Sequence, residues 1–202
     1  MRRATALFAA LLLAILFSIT YATNPTARAA GCAGDWAIGI GGSGDPSVFA
    51  PYVDQSVGYD SADPMSALNE IDRLFWSHRT ECPRDHIRLI GHSEGAGILH
   101  AWVTAHQDVG NANAILLSDP KRAPGPGSGG LSSTPGNWLI GYPLAGVDDW
   151  FGNVPVLTVC NHDDEICDTS AGWLGYVFAG AHDRYDFNVW DYGDWNSGVW
   201  YR

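Results

Sequence analysis

The stretch Ile87-Arg88-Leu89-Ile90-Gly91-His92-Ser93-Glu94-Gly95-Ala96-Gly97-Ile98 decides how the rest of the chain is read. Four residues of strand character run into Gly91-His92-Ser93-Glu94-Gly95, and helix-friendly residues follow without a gap. This is a Gly-x-Ser-x-Gly pattern in its required setting of strand, sharp turn and helix. A serine at such a turn sits on a strained backbone, and the flanking glycines leave room that a Cβ would fill. The turn would lift the Ser93 hydroxyl above the sheet. It would also aim the amide of Glu94, at the start of the new helix, at an oxyanion formed during attack. The plain alternative is an ordinary strand-to-helix turn with Ser93 as a cap.

Working outward, the upstream half supplies a strand over Asp35–Ile40 that ends in the loop Gly41-Gly42-Ser43-Gly44. A second strand is expected over Gln55–Tyr59. Pro64 then opens an amphipathic helix, with Met65, Leu68, Ile71, Leu74 and Phe75 at helical spacing as far as about Arg79. Downstream, a helix is predicted over Glu94–His106, a strand over Ala114–Leu117, and a long Gly/Pro/Ser-rich loop over Lys121–Gly136. Val154–Val159 reads as the final buried strand, and Ser170–Ala179 as a short helix. Strands alternating with helices argue for an α/β fold: a three-layer α/β/α sandwich around a mostly parallel sheet of about five strands, with sites at the strands' C-terminal ends. The tail from Tyr185 to Arg202 fits neither period. Trp190, Trp195 and Trp200 there either pack over the sheet or form an aromatic platform for sugar or lipid.

The chain begins with Arg2 and Arg3, an apolar run from Ala4 to Ile19 and the small-x-small triplet Ala27-Arg28-Ala29. Residues 1–29 therefore read as a signal peptide, and residues 30–202 as one exported domain. Removing the leader takes three arginines and no acid, which moves the formal charge from -11 to -14. So acidic a surface repels phosphate backbones, which argues against a nucleic-acid partner. The four cysteines suit an oxidising compartment and allow three pairings. Cys160 and Cys167 are close enough to clamp one loop, leaving Cys32 with Cys82. No Cys-x-x-Cys pair suggests a metal, and no cofactor is called for.

A serine hydroxyl needs a base, and the base needs an orienting acid. Of the downstream histidines, His100 and His106 lie on the helix that leaves Ser93 and are expected at the surface. His162 falls inside the cysteine-clamped loop. His182, in a loop after a short helix, is preferred. The acid is expected after a late strand, among Asp163, Asp164 and Glu165. Asp119 is an outsider, because Pro120 makes it look like a turn former.

Three segments together resemble the cutinase family of α/β-hydrolases: Cys82-Pro83 with the serine eleven residues later, Cys160-Asn161-His162-Asp163-Asp164-Glu165-Ile166-Cys167, and His182-Asp183-Arg184-Tyr185. The resemblance implies a compact hydrolase without a large lid, secreted and cleaving carboxylic esters. It implies Ser93 as nucleophile, Asp164 as acid and His182 as base, with the Glu94 amide and Ser43 as oxyanion donors and the pairings Cys32–Cys82 and Cys160–Cys167. Gly41–Gly44, Ser118–Arg122 and Gly141-Tyr142-Pro143 resemble actinobacterial serine esterases with a PE-PPE-type domain, so a cell-envelope ester is as good an expected substrate as cutin. Glu94 stands where the family usually has Gln, and a carboxylate beside an oxyanion would oppose it. Contact with the cell envelope or a lipid interface is expected on the same footing. Two other readings use the same scaffold: a non-catalytic exported protein that binds glycolipid or sugar, and an acyltransferase.

Overall fold

Short runs of consecutive apolar residues mark strands buried on both faces, while spacings of three and four mark helices with one buried stripe. A computed structural model describes residues 31–135, 137 and 141–202, so the expected signal peptide lies outside the described residues. The strands are β1 (Asp35–Ile40), β2 (Gln55–Val57), β3 (His86–His92), β4 (Ala112–Leu117), β5 (Val156–Cys160) and β6 (Gly198–Tyr201). They form one sheet in the order β2-β1-β3-β4-β5-β6, with every pairing parallel. The helices are α1 (Pro64–Glu81), α2 (Glu94–Ala105) and α3 (Trp173–Ala179). Among the described residues no helix is long and apolar enough to cross a membrane.

Local chemistry explains the boundaries. Asp63 caps α1 by accepting the Ser66 amide at 3.2 Å, and Pro64 occupies the first helical position, where its missing N–H costs nothing. Ala67, Ile71, Leu74 and Phe75 then form the buried stripe. In α2 nine of twelve residues are buried, His100 among them, so this helix is wrapped by protein on nearly every side.

Both long helices lie against one face of the sheet, where Ile71, Phe75, Ile98 and Trp102 pack on Ile38, Leu89 and Leu116. On the opposite face, Ile90, Ile115, Leu157 and Val159 pack against Phe49, Tyr185, Val189 and Tyr192. Much of that cover is irregular chain, supplied by the segment after β1 and by the aromatic tail.

The tail also holds the main departure from the expected strand count. Gly198–Tyr201 adds a sixth strand beside β5, so Val154–Val159 is not the last. As an outer strand β6 has three exposed residues and one half-buried, and the alternation that marks a half-buried strand is absent from its sequence. Both disulfides are present: Cys32–Cys82, spanning 50 residues, and Cys160–Cys167, spanning 7. The Gly/Pro-rich segment after β4 is organised by Arg122, which is 2 % exposed and donates to the carbonyls of Cys167 at 2.7 Å and Pro126 at 2.8 Å.

Candidate active site

Because every strand runs the same way, the segments following β1, β3, β4 and β5 all emerge at one rim of the sheet. Ser93 sits where β3 turns into α2, with φ 57° and ψ -126°, a left-handed backbone that costs a non-glycine residue about 1–3 kcal/mol. Its side chain makes no capping hydrogen bond, so the plain reading of Ser93 as a cap does not hold. The turn leaves no room for substituents. A Cβ on Gly95 would strike the carbonyl oxygens of Ile40 and Gly41, and one on Gly42 would lie 2.8 Å from Ser93 Cβ. The loop after β1 is thus pressed directly against the serine.

Ser93 lines a cavity of about 390 Å³ together with Gly42, Ser43, His92, Tyr176 and His182. His182 lies in a short 3-10 turn, Ala181–Asp183, that follows α3. Its Nδ1 faces Asp164, at 3.1 Å from Oδ1 and 3.2 Å from Oδ2, so Nε2 is the ring nitrogen left for other work. Asp164 is fully buried and accepts from the Tyr185 hydroxyl at 2.7 Å and the Ile166 amide at 3.1 Å. Burial pushes its carboxyl up, but the hydrogen bonds and charge of His182, with those of Ser118 and Tyr185, outweigh this and hold it below its ordinary range. It is therefore a carboxylate at neutral pH.

The neighbouring candidates go elsewhere. Asp163 is half exposed and pairs with His162 at 2.7 Å. Glu165 accepts the Gly172 amide. His106 is bonded to the Trp102 carbonyl at 2.8 Å. His100 overturns its sequence reading: it is 1 % exposed, and its Nδ1 lies 2.7 Å from Oδ2 of Asp119, itself wholly buried. Wrapping of α2 explains the error about His100, and the buried partner explains that about Asp119, which is more than a turn former.

Three residues that the sequence reading gave no role complete the arrangement. Ser118, at the end of β4 with φ 53°, places its Oγ 3.0 Å from His182 Nδ1. A polar residue at the C-terminal end of a buried parallel strand was the available signal. His92 donates from Nε2 to the His182 carbonyl at 2.9 Å. Burial first, and then the nearby His182, push the His92 pKa down to about 4, so its ring is neutral. Tyr59 brings its hydroxyl within 3.0 Å of the Gly41 carbonyl and 3.1 Å of Glu94 Oε2. Burial, followed by the Glu94 charge, raises the Tyr59 pKa far above its usual value, so that proton stays in place. The Glu94 carboxylate is thereby tethered to Tyr59, while its amide, in the first turn of α2, has no partner within the helix.

Among the described residues, Cys32, Cys82 and Asp85 converge closely enough to suggest a metal. Both sulfurs are consumed by the disulfide, so neither can serve as a thiolate ligand.

No family model matches this chain, and no curated protein matches its sequence. Solved structures do match. A cutinase-like protein from Cryptococcus sp. superposes with a TM-score of 0.54 at 18% identity, over 84% of this chain and 98% of that one. This chain shares the fold of that cutinase-like protein. A lipase-esterase related protein from Clostridium acetobutylicum is also similar, with a TM-score of 0.45 at 13% identity, over 83% of this chain and 84% of that one. Within this fold, the strained turn at Ser93, the His182 imidazole and its partner Asp164 occupy one rim, on segments separated in sequence by up to 89 residues.

Proposed function

We propose that this chain is a secreted serine esterase that hydrolyses carboxylic esters through an acyl-enzyme, with Ser93 as nucleophile, His182 as base and Asp164 as orienting acid. One observation carries the reading: an imidazole whose Nδ1 is engaged by a buried carboxylate lines the same cavity as a serine on a strained elbow. The chemistry follows. His182 Nε2 takes the Ser93 proton as Oγ attacks the ester carbonyl. Asp164 fixes the tautomer and stabilises the imidazolium that forms. The tetrahedral oxyanion is held by the Glu94 amide and by Ser43, beside it in the loop after β1. His182 returns the proton to the departing alkoxide, which leaves as the alcohol. Water, deprotonated by the same nitrogen, then releases the acid and regenerates Ser93.

The surroundings favour an apolar ester. Helix α3 supplies Tyr176 to the cavity wall, and on the rest of this helix Leu174 and Phe178 stand 74% and 81% exposed. Export, with loss of residues 1–29, agrees with the two disulfides. N-terminal sequencing of the protein recovered from culture medium checks it.

The deciding experiment is turnover of short-chain p-nitrophenyl esters, with covalent labelling by a fluorophosphonate. Wild type should hydrolyse and label. Ser93→Ala should do neither while keeping its circular dichroism spectrum. An unlabelled, inactive wild type would mark the scaffold as a binding protein, and ester formation with an added alcohol at the expense of hydrolysis would mark an acyltransferase.

A further inference from the structure

A second hollow, of about 550 Å³, is larger than the one at Ser93 and shares no lining residue with it. It lies over β5 and β6, on the face that α1 and α2 cover further along the sheet. Val156 belongs to that face, so Thr158, two residues on, projects the same way. Val199, paired with Thr158, does so as well and completes the floor.

At the back stands His100. Asp119 Oδ1 accepts the Lys121 amide at 2.9 Å, and Oδ2 lies 2.7 Å from His100 Nδ1. With both oxygens accepting, Nδ1 donates to the carboxylate and Nε2 is the ring nitrogen left over. That buried nitrogen has no hydrogen-bond partner among the described residues. Buried polar atoms are almost always satisfied, and an orphan calls for a partner. At the rim, Trp150 and Trp195 are 67% and 71% exposed, and a hydrogen bond of 2.9 Å from Trp150 Nε1 to Gln107 Oε1 holds the first indole in place. The carboxylates of Asp148 and Asp149 flank them.

The ligand these groups call for is rich in donors, since the wall offers acceptors, and has apolar faces to lie on the indoles. An ammonium compound would meet the Arg122 guanidinium in the same wall, and an anion would meet the two aspartates. Neither objection touches an uncharged polyol. We propose that this hollow binds a neutral sugar, its C–H face against Trp150 and Trp195, its hydroxyls donating to Asp148 and Asp149 and one of them pairing with His100 Nε2. The site is independent of the ester chemistry.

The test is native gel electrophoresis of the full chain through hydroxyethyl cellulose, soluble starch or galactomannan. At least one of these should retard the wild type. Trp195→Ala should weaken retention about five-fold, the size expected from losing one ring contact, and Trp195→Tyr should restore part of it. Ester turnover should be unchanged in both variants. Absence of retardation in all three gels, retention that survives Trp195→Ala together with Trp150→Ala, or displacement by tetramethylammonium chloride would each overturn the proposal.

Discussion

Asp163 and Asp164 are adjacent and chemically identical, and only their surroundings separate them. Asp164 is buried, bonded to His182 and Tyr185, and held ionised, whereas Asp163 faces solvent beside His162. Asp164→Asn should therefore lower kcat by roughly 10⁴, because an amide favours the wrong imidazole tautomer. Asp163→Asn should stay within about two-fold, as a surface ion pair contributes little. Kinetics on a p-nitrophenyl ester distinguish the two. Ser118 Oγ meets His182 at Nδ1, the same ring nitrogen that faces Asp164. Ser118→Ala should reduce kcat about ten-fold and leave KM nearly unchanged, the signature of lost positioning rather than lost binding. Ser93 was legible in the sequence because its pattern is local. The carboxylate expected beside His182 was narrowed to three neighbours by its position and to one by resemblance, and in the structure Asp164 is the one buried against that ring. His100 was misread because its place on the helix that leaves Ser93 was taken to point it at the surface, whereas that helix is buried nearly all round.

Among the elements, the disulfide-closed turn after β5 and the outer strand β6 are the informative ones. By chain entropy, opening Cys160–Cys167, with its 7-residue span, costs about 2 kcal/mol, and opening Cys32–Cys82, with its 50-residue span, about 4 kcal/mol. Activity should follow the opposite order. The small loop carries Asp164, so a Cys160→Ser/Cys167→Ser protein should lose more turnover, and less urea resistance, than Cys32→Ser/Cys82→Ser. Strand β6 is joined to β5 through bonds such as Arg202 N–H to the Cys160 carbonyl at 3.1 Å, which places the Trp200 amide on the bonded side too. Trp200→Pro should therefore lower the melting temperature beyond Trp200→Ala, which removes the ring alone. The inner strands could be read as apolar runs. The outer strand Gly198-Val199-Trp200-Tyr201 is shorter and mostly exposed, so its residues do not form the long buried run that marks the inner ones.

For the molecule as a whole, acidity is the revealing variable. The unfolded chain binds a proton at His92 near pH 6.5, but the folded protein refuses it until about pH 4. Between those values the unfolded state holds the extra proton, so stability falls as pH drops, by an amount on the order of 3 kcal/mol over the full window. Asp164 acts lower down. Its folded pKa is depressed, so its contribution is complete above 3.8 and disappears as pH falls through the folded value. Urea midpoints measured against pH should show both declines, and His92→Gln should flatten only the upper one. The parallel ladder also has a consequence for how the molecule fails. Hydrogen bonding continues past the strand ends, from Ser93 N–H to the Leu117 carbonyl and from Ser118 N–H to the Val159 carbonyl, each at 3.0 Å. Ser93 hangs from one rail and the bonded pair of Asp164 and His182 from another, with β4 between them. A slip too small to change tryptophan emission would still pull the reacting atoms apart, which makes turnover a shear gauge for the sheet. In rising urea, hydrolysis should fade ahead of fluorescence, while the bond between residues 164 and 182 outlasts both partners' alignment with residue 93.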